Sequence, residues 1–330
     1  MAVAPVTAHS WPVLAQTSPA GVTPGRPPTL SVVIPAYRAA HRIGAALDSV
    51  AAQTLLPLEV VVCDDGSEDD LAAAVTGRGP QGRLVRHDRN RGAGAARNTA
   101  VRAAVGEVVV LLDDDDTWDV RRLEALSDVL AARPDLDIVT TDAWLVVDGE
   151  QTCRADELQP FECENQAAAI LVRNFIFGHA AVRRNIWLRA GGFAEDLAVG
   201  EDWVGWQQML RSGSRAGMVD LPLAHYRRRP DSATADRGRF LRDRLTLLER
   251  SLLRSDLLLA EREEVQGLCR QERLKTAWHA IDARAADRRT LCWHVVADRE
   301  AASRARAAAL LGALAPTAHR RVRRRIAGPT

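Results

Sequence analysis

An apolar run in this sequence ends directly in four carboxylates. The run is VVVLL (Val108–Leu112), and Asp113 to Asp116 follow it, shortly before Trp118. Neighbouring like charges repel, so each carboxylate needs water or a cation close by. Carboxylate oxygens suit Mg²⁺ or Mn²⁺, and a magnesium site usually combines one or two of them with substrate phosphates. Because apolar residues flank the cluster, the pattern favours a divalent-cation site for a phosphate-bearing substrate over a solvated turn.

Two further acidic pairs lie at the ends of predicted elements. Asp64-Asp65 follow the apolar run LEVVVC (Leu58–Cys63), and Glu201-Asp202 begin a segment with apolar residues at helical spacing. Carboxylates at a helix N-terminus are favoured by the helix dipole. From its position alone, Asp202 suits the structural role of an acid that satisfies the dipole.

Four short runs with β-branched residues, separated by helical or loop segments, must position these acids. They are SVVIP (Ser31–Pro35), LEVVVC (Leu58–Cys63), RLVRH (Arg83–His87) and VVVLL (Val108–Leu112). This alternation predicts an α/β fold, with a parallel sheet covered by helices on both faces. Ligands of such sheets bind beyond the carboxyl ends of the strands. Two of the three acidic clusters fall on that edge.

Composition excludes several classes of protein. The 330 residues are 47% hydrophobic and 26% charged, as in an ordinary globular chain. The five cysteines form no CxxC pair, so the sequence predicts neither a zinc site nor a disulfide framework. No apolar run approaches the roughly 20 residues of a membrane span, and no signal-peptide pattern begins the chain. We therefore expect a cytoplasmic location.

Three regions are predicted along the chain. Residues 1–28 mix Pro, Gly, Ser and Thr without periodicity, which indicates a flexible leader. Residues 29–238 form the main domain, with a nucleotide-binding half (29–118) and an acceptor half (119–238). Residues 239–330 are mostly helical and end in a basic terminus.

The C-terminal region is basic, whereas the rest of the chain is acidic. Residues 241–330 carry 19 Lys and Arg against 11 Asp and Glu, within a net charge of +1 for the whole chain. Its helices suit a structural cap, an oligomer interface or a peripheral membrane contact, and packing against the protein's own core is favoured. Arg320–Arg325 would attract anionic lipid. Nucleic-acid binding is not predicted, because aromatic residues do not interleave with the basic ones.

A set of motifs, taken in order, resembles the family 2 glycosyltransferases. The motifs are SVVIPAYR (Ser31–Arg38), VVCDDGSEDD (Val61–Asp70), NRGAGAARNTAV (Asn90–Val101), GEVVVLLDDDDTW (Gly106–Trp118), RAGGF (Arg189–Phe193), GEDW (Gly200–Trp203) and HYRRRPDSAT (His225–Thr234). The resemblance covers about residues 30–235. It implies the nucleotide-sugar-binding GT-A fold, a Rossmann-like, mixed and mainly parallel sheet flanked by helices.

The resemblance implies contacts to the nucleotide of a sugar donor. Pro35 and Tyr37 match positions that line the nucleotide. Asp65, with Asp64 beside it, matches the acid that reads the base. Arg97 suits either a nucleotide contact or a helix-packing role.

The resemblance also implies a metal site. Asp113, Asp115 and Asp116 match the D-x-D-D element that meets the ribose and coordinates a divalent metal on the diphosphate. We expect Asp115 to be the principal ligand of Mn²⁺ or Mg²⁺, with Asp113 and Asp116 sharing the remaining roles. The division stays open because Asp114 is acidic too.

Asp202 matches the catalytic base of the family, and on sequence alone this role and the structural role at the helix N-terminus are equally favoured. Inverting transfer needs one carboxylate to take the proton of the acceptor hydroxyl while the metal stabilises the departing diphosphate. Glu201, Trp203, His225 and Arg227 are weaker candidates for contacts with the acceptor or the diphosphate. Trp203 suits a sugar-stacking platform, but a core position is favoured.

The sequence therefore predicts a metal-dependent, inverting glycosyltransferase. It would move one sugar from a nucleotide diphosphate donor, expected to be a UDP-sugar, to a glycan, a lipid-linked acceptor or a small molecule. The Q/R-x-x-R-W element of processive synthases is missing, which favours single additions. The alternatives are a scaffold that binds the sugar nucleotide without transfer, and a nucleotidyltransferase. The segment PAYRAAHRIG lacks the glycines that the latter would need to grip a triphosphate.

Overall fold

The computed structural model describes residues 11–76, 82–229, 232, 235–298 and 300–314. The chain divides into two compact units. The first unit comprises residues 1–197 and 201–229, and the second comprises residues 198–200 and 230–330. The units separate after Arg229, whereas the sequence places the boundary between residues 238 and 239.

The first unit contains strands and helices in alternation. Its elements are β1 (Val13–Ala15), β2 (Leu30–Ala36), α1 (Ile43–Ala51), β3 (Glu59–Asp64), α2 (Leu71–Val75), β4 (Gly82–Arg86), α3 (Ala93–Ala103), β5 (Val108–Leu111), β6 (Thr117–Trp118), α4 (Arg122–Ala132), β7 (Ile138–Val147), β8 (Glu150–Arg154), α5 (Ala155–Leu158), α6 (Gln166–Val172), β9 (Ala181–Arg183), α7 (Arg184–Ala190), α8 (Glu201–Arg211) and β10 (Ala216–Arg228). All four predicted strands of the first half are present, as β2 to β5.

These strands form one mixed sheet in the order β1-β10-β7-β9-β5-β2-β3-β4, while β6 pairs with β10 and β8 with β7. The block from β5 through β2 and β3 to β4 is parallel. Strand β9 joins it antiparallel to β5 and β7. The predicted mixed sheet with flanking helices is confirmed.

The core explains why these segments form strands and crossover helices. Every residue of β2, β3 and β5 is buried, as expected of a parallel sheet that helices cover on both faces. Ile43, Leu47 and Val50 of α1, which the periodicity places on one face, are all buried in the core beside the sheet. With both faces covered, only the strand ends are open to ligands.

Strand β10 brings the end of the first unit to this open edge. It runs parallel to β7 over most of its length. At its carboxyl end it pairs with the short strand β6, with His225 opposite Thr117. Because β6 directly follows the four aspartates, this pairing sets Arg227 beside them.

The prediction of a flexible leader differs from the structure over one segment. Val13–Ala15 form the edge strand β1, antiparallel to β10. The Trp11 indole Nε1 donates to Asp128 at 3.1 Å. A three-residue strand is too short to show a periodic pattern, which is why the sequence gives no signal for it. Residues 1–10 lie outside the described residues.

The second unit is helical where it is described. It contains α9 (Arg237–Leu252), α10 (Leu259–Asp282), α11 (Arg288–Ala297) and α12 (Ser303–Leu314). Helices α10 to α12 share a small core that includes Ala277, Ile281, Cys292 and Ala309. None of the helices in the described ranges is long and apolar enough to cross a membrane. The basic terminus, Arg320–Arg325, lies outside those ranges.

Candidate active site

Each of the four consecutive aspartates faces a different basic side chain. Arg97 Nη2 lies 2.6 Å from Asp113 Oδ1, Arg42 Nε 2.9 Å from Asp114 Oδ1, Arg229 Nε 2.8 Å from Asp115 Oδ2, and His179 Nε2 2.8 Å from Asp116 Oδ2. The four partners come from separate parts of the first unit. The fold therefore offsets the mutual repulsion of the acids with one arginine each for Asp113, Asp114 and Asp115, while Asp116 faces the imidazole of His179.

The loop that carries these acids is held at both ends. Before it, the Leu112 N–H donates to the Val33 carbonyl at 3.1 Å. Within it, the Asp116 N–H donates to the Asp113 carbonyl at 3.3 Å, which closes a turn. After it, Trp118 is 5% exposed and packs in the core. The loop is thus part of the packed structure, as its apolar flanks predict.

Asp114 has a partner that the sequence did not identify. Its two carboxylate oxygens accept hydrogen bonds from Arg42 Nε at 2.9 Å and Arg42 Nη2 at 3.0 Å. Arg42 Nη2 also donates to the Tyr37 carbonyl at 3.1 Å. Burial raises the pKa of Asp114, and the hydrogen bonds from Arg42 oppose that shift. The side chain of Asp114 therefore fastens the loop to the start of α1.

Asp115 is paired with Arg229 at the end of β10. Burial, together with the charges of Asp116 and Asp113, raises the pKa of Asp115 to about 7. Arg227 supports the same loop, because its Nη1 donates to the Asp115 carbonyl at 2.9 Å and its N–H to Asp116 Oδ1 at 2.7 Å. An open pocket of about 540 Å³ is lined by Asp115 and by basic side chains, namely His41, Arg42, Arg227 and Arg229.

Asp113, Asp116 and His179 form a group with the spacing of metal ligands. One ligand atom from each lies within 4.8 Å of the other two. Asp116 is 0% exposed and His179 is 1% exposed. Two carboxylates and an imidazole are a donor set that fits a divalent ion. Asp115 as the principal metal ligand stays a prediction, and its carboxylate is outside this group.

Arg97 connects the acidic loop with the start of α8. Its Nη2 lies 2.6 Å from Asp113 Oδ1, and its Nη1 lies 2.6 Å from Glu201 Oε1. Burial acts to lower the pKa of Arg97, but Asp113 and Glu201 more than offset this and raise it. Arg97 therefore stays charged and fixes the distance between two acidic clusters. A nucleotide contact by Arg97 remains a prediction.

Asp202 is oriented by two donors. Its Oδ1 accepts from the Trp203 N–H at 2.7 Å, and its Oδ2 accepts from Asn174 Nδ2 at 3.1 Å. Burial raises the pKa of Asp202, and Arg97 opposes this. Burial also raises the pKa of its neighbour Glu201, to about 7. Asn174 was missed because the segment around it matches no recognised motif.

The predicted base-reading acids already have partners within the protein. Asp65 accepts from the N–H groups of Arg91 and Gly92, both at 2.8 Å, and lies 2.7 Å from His87 Nδ1. Asp64 Oδ1 accepts from the Ser67 N–H at 2.8 Å. Both acids lie at the carboxyl edge, as expected. Their geometry shows that they order the loops there, whereas base reading stays a prediction.

The other nucleotide-site candidates differ in accessibility. Pro35 is buried within β2, and Tyr37 follows it partly exposed. Arg38 lies 5.1 Å from the centre of the Tyr37 ring. Tyr37 is thus the one of the two whose side chain is accessible to a ligand.

The weaker candidates of the acceptor half separate into core and edge positions. Trp203 is 5% exposed, and its Nε1 donates to the Ile170 carbonyl at 2.5 Å. It packs in the core, which leaves little ring surface for a sugar. His225 lies at the edge, partly exposed, and burial lowers its pKa.

Glycines of two motifs serve close packing around the site. A Cβ at Gly94 would lie 2.2 Å from the Ala194 carbonyl oxygen. A Cβ at Gly192, which has φ +80, would lie 2.2 Å from Asn98 Oδ1. These glycines let α3 approach the segment that precedes α8, which is the approach that the Arg97 bridge requires.

Comparison with known sequences identifies the domain. Residues 31–188 match the model of Glycosyl transferase family 2. The chain is 33% identical over 213 residues to the succinoglycan biosynthesis protein ExoO of Rhizobium meliloti, covering 60% of each protein. It is 38% identical over 96 residues to the Escherichia coli UDP-Glc:alpha-D-GlcNAc-diphosphoundecaprenol beta-1,3-glucosyltransferase WfgD, covering 29% of the chain and 38% of WfgD. The chain thus spans less than two thirds of the length of either relative.

Solved structures share the fold. Staphylococcus aureus TarS 1-349 in complex with UDP-GlcNAc has a TM-score of 0.65 at 17% identity, covering 89% of both chains. The mannosyltransferase PcManGT from Pyrobaculum calidifontis, in complex with GDP-Man and Mn²⁺, has a TM-score of 0.56 at 22% identity, covering 92% of this chain and 86% of that one. Together with the family model, these structures confirm the predicted GT-A fold, and residues 31–188 carry the glycosyl transferase family 2 domain.

Proposed function

We propose that this protein is a metal-dependent, inverting glycosyltransferase that adds one sugar at a time. The observation that carries the proposal is the Arg97 bridge, which joins Asp113 of the acidic loop to Glu201, the neighbour of Asp202. One arginine thereby couples the predicted diphosphate site to the predicted base. In inverting transfer the acceptor hydroxyl attacks as the diphosphate departs, so the base and the diphosphate site must be held in fixed relative positions.

In this proposal each part of the site has one task. The carboxylates of the acidic loop, with Asp115 and Asp116 as the predicted ligands, would hold Mn²⁺ or Mg²⁺, which stabilises the negative charge of the leaving diphosphate. Asp202 accepts the proton of the acceptor hydroxyl, and Asn174 keeps its carboxylate oriented. A single displacement then needs no second carboxylate as a nucleophile.

The donor and the acceptor are proposed from the relatives. WfgD is named for a UDP-glucose donor and a diphosphoundecaprenol-linked acceptor, and the TarS complex contains UDP-GlcNAc. A UDP-sugar donor and a glycan, lipid-linked or small-molecule acceptor are therefore the expected substrates.

We propose further that the protein works in the cytoplasm. Its functional regions in this proposal are residues 1–28, 29–238 and 239–330. The basic terminus would provide any membrane contact.

The first test is ligand-dependent stabilisation of the full chain. A ligand that binds only the folded state raises the melting temperature. UDP, GDP, dTDP and CDP are each added with and without Mn²⁺, and we expect a metal-dependent rise with UDP. No rise with any nucleotide, even far above micromolar concentrations, would contradict the proposal.

The second test separates transfer from binding. Asp202→Asn is expected to keep the UDP-dependent stabilisation and to lose release of UDP from a UDP-sugar in the presence of an acceptor. Asp148→Asn is the matched control, because Asp148 is exposed in a turn with φ 51, a conformation that asparagine tolerates. If Asp202→Asn transferred as well as the control, Asp202 would not be the base. A protein that binds UDP but shows no transfer in either form would instead be the scaffold alternative.

A further inference from the structure

His179 is buried, and its ring makes no hydrogen bond to any residue that the structure describes. It is 1% exposed, and neither ring nitrogen makes a hydrogen bond within the part of the chain that the structure describes. Asp116 Oδ2, equally buried, also lacks a hydrogen bond within the described residues. A buried polar atom without a partner costs free energy. Two such atoms that face each other suit a cation that lies beside them and binds both.

The distances around these atoms are those of a coordination sphere. His179 Nε2 lies 2.8 Å from Asp116 Oδ2, although the pair lacks hydrogen-bond geometry, and 4.0 Å from Asp113 Oδ2. An octahedral ion bound at about 2.1 Å has neighbouring ligands about 3 Å apart and opposite ligands about 4 Å apart. His179 Nε2 and Asp116 Oδ2 therefore fit neighbouring positions on one ion, and His179 Nε2 and Asp113 Oδ2 fit opposite positions.

The surroundings of His179 hold it in place. The buried guanidinium of Arg122, in α4, donates to the His179 carbonyl through Nη2 and to Thr141 Oγ1 through Nη1. The Phe177 ring packs against the imidazole at a centroid distance of 4.8 Å. On the other side, Asp116 is fixed by the Arg227 N–H, which occupies Oδ1 and leaves Oδ2 directed at His179. The two ligand atoms are thus preorganised by separate parts of the fold.

We propose that His179 Nε2 is a ligand of the divalent cation, together with Asp116 and Asp113. This inference rests on the proposed function, and it assigns the cation a nitrogen ligand from the acceptor half. Asp115, which pairs with Arg229, is then a neighbour of the ion instead of its principal ligand. Imidazole suits transition metals better than Mg²⁺. The site should therefore bind Mn²⁺ more tightly than Mg²⁺.

Pulsed electron paramagnetic resonance of Mn²⁺ tests the ligand directly. The full chain is loaded with substoichiometric Mn²⁺ and excess UDP, and the spectrum is examined for ¹⁴N modulation from a directly bound imidazole. We expect this modulation in the wild type and its loss in His179→Gln, with Mn²⁺ affinity lowered at least about tenfold. His294→Gln, on the exposed side of α11, is the matched control and should keep both.

The outcomes separate this inference from the proposed function. Mn²⁺ that binds the wild type without ¹⁴N modulation would overturn the role of His179 and leave metal-dependent transfer standing, and this result does not depend on whether the variant folds. Equal affinity in wild type and a folded His179→Gln would overturn it too. A wild type that binds no Mn²⁺, with or without UDP, would overturn both proposals.

Discussion

Arg42 and Asp114 form a two-point ion pair across 72 positions of sequence, with Nε 2.9 Å from Oδ1 and Nη2 3.0 Å from Oδ2. Their side chains are 20% and 11% exposed. Paired hydrogen bonds of this kind fix orientation as well as distance. The pair therefore sets where the acidic loop lies relative to α1, while the carboxylates on either side of Asp114 remain directed elsewhere.

Loss of this pair should have a large effect on the stability of the protein and a small effect on its affinity for the cation. Asp114→Ala leaves the Arg42 guanidinium largely buried without its carboxylate, so we expect the free energy of unfolding to fall by about 2 kcal/mol. Chemical denaturation measures this change, and a Mn²⁺ titration of the same variant should show less than a tenfold loss of affinity. In the double variant Arg42→Met/Asp114→Ala, the loss should be smaller than the sum of the single losses, because no unpaired charge remains. Additive losses would show that the two residues act independently.

The Arg97 bridge should be required for activity even where the protein stays folded. Lysine keeps the charge but has a single ammonium group, which cannot reproduce the two-armed contact with Asp113 and Glu201. Arg97→Lys is therefore expected to lower kcat about 100-fold through misplacement of the acidic clusters. Arg102→Lys, at an exposed position of the same helix, is the control and should retain full activity. A variant Arg97→Lys with wild-type kcat would show that the bridge serves stability alone.

The strand ends could be predicted from sequence, whereas most partners of the acids could not. Asp113 to Asp116 follow a wholly buried strand, and the parallel topology leaves only one edge for them. His179 and Asn174 lie in a stretch with no motif, and they meet Asp116 and Asp202 only through the folded chain. Sequence spacing carries no information about such contacts. The pairing of Arg42 with Asp114 has the same origin.

The role of the tryptophans could be predicted only in part from the apolar pattern. Trp203 and Trp206 occur at helical spacing, which identifies a helix face without showing what that face meets. In the structure both are buried, with 5% and 0% exposure. Trp206 packs edge-on against Phe193 at 5.0 Å. The motif RAGGF, read first as a family signature, thus supplies the aromatic contact that holds α8 against its neighbours.

The pH dependence of transfer should report on Asp202. Burial raises the pKa of this carboxyl above the usual range of an aspartate, and the hydrogen bond from Asn174 acts to lower it. A base works only when it is deprotonated. We therefore expect kcat/KM to be low at acidic pH and to rise as the pH increases through this raised pKa. Asn174→Ala removes a donor that favours the carboxylate, and the acid limb should therefore move to higher pH. Rates measured from pH 5 to 9 at saturating Mn²⁺ give the comparison.

Asn185→Ala, at an exposed position of α7, is the control and should leave the acid limb unchanged. A shift of the acid limb to lower pH in Asn174→Ala would contradict the assignment of Asp202 as the base.

Gly94 and Gly267 are both helical glycines, and the same substitution should affect them in opposite directions. At Gly94, a Cβ would lie 2.2 Å from the Ala194 carbonyl oxygen, a backbone atom that cannot turn aside. Gly94→Ala should therefore separate α3 from the segment before α8 and lower the free energy of unfolding by about 1 to 3 kcal/mol. At Gly267, in α10, the nearest atom to a new Cβ is the end of the flexible Arg270 side chain at 4.0 Å.

Alanine at Gly267 should instead stabilise its helix by about 0.5 to 1 kcal/mol, because glycine loses more backbone entropy on folding. Denaturation curves of the two variants therefore test packing against intrinsic helix propensity within one chain. The Gly94 variant should also lose transfer activity, since the Arg97 bridge to Glu201 depends on the same close approach. If Gly94→Ala were as stable and as active as Gly267→Ala, the contact between α3 and Ala194 would not be what brings the two acidic clusters together.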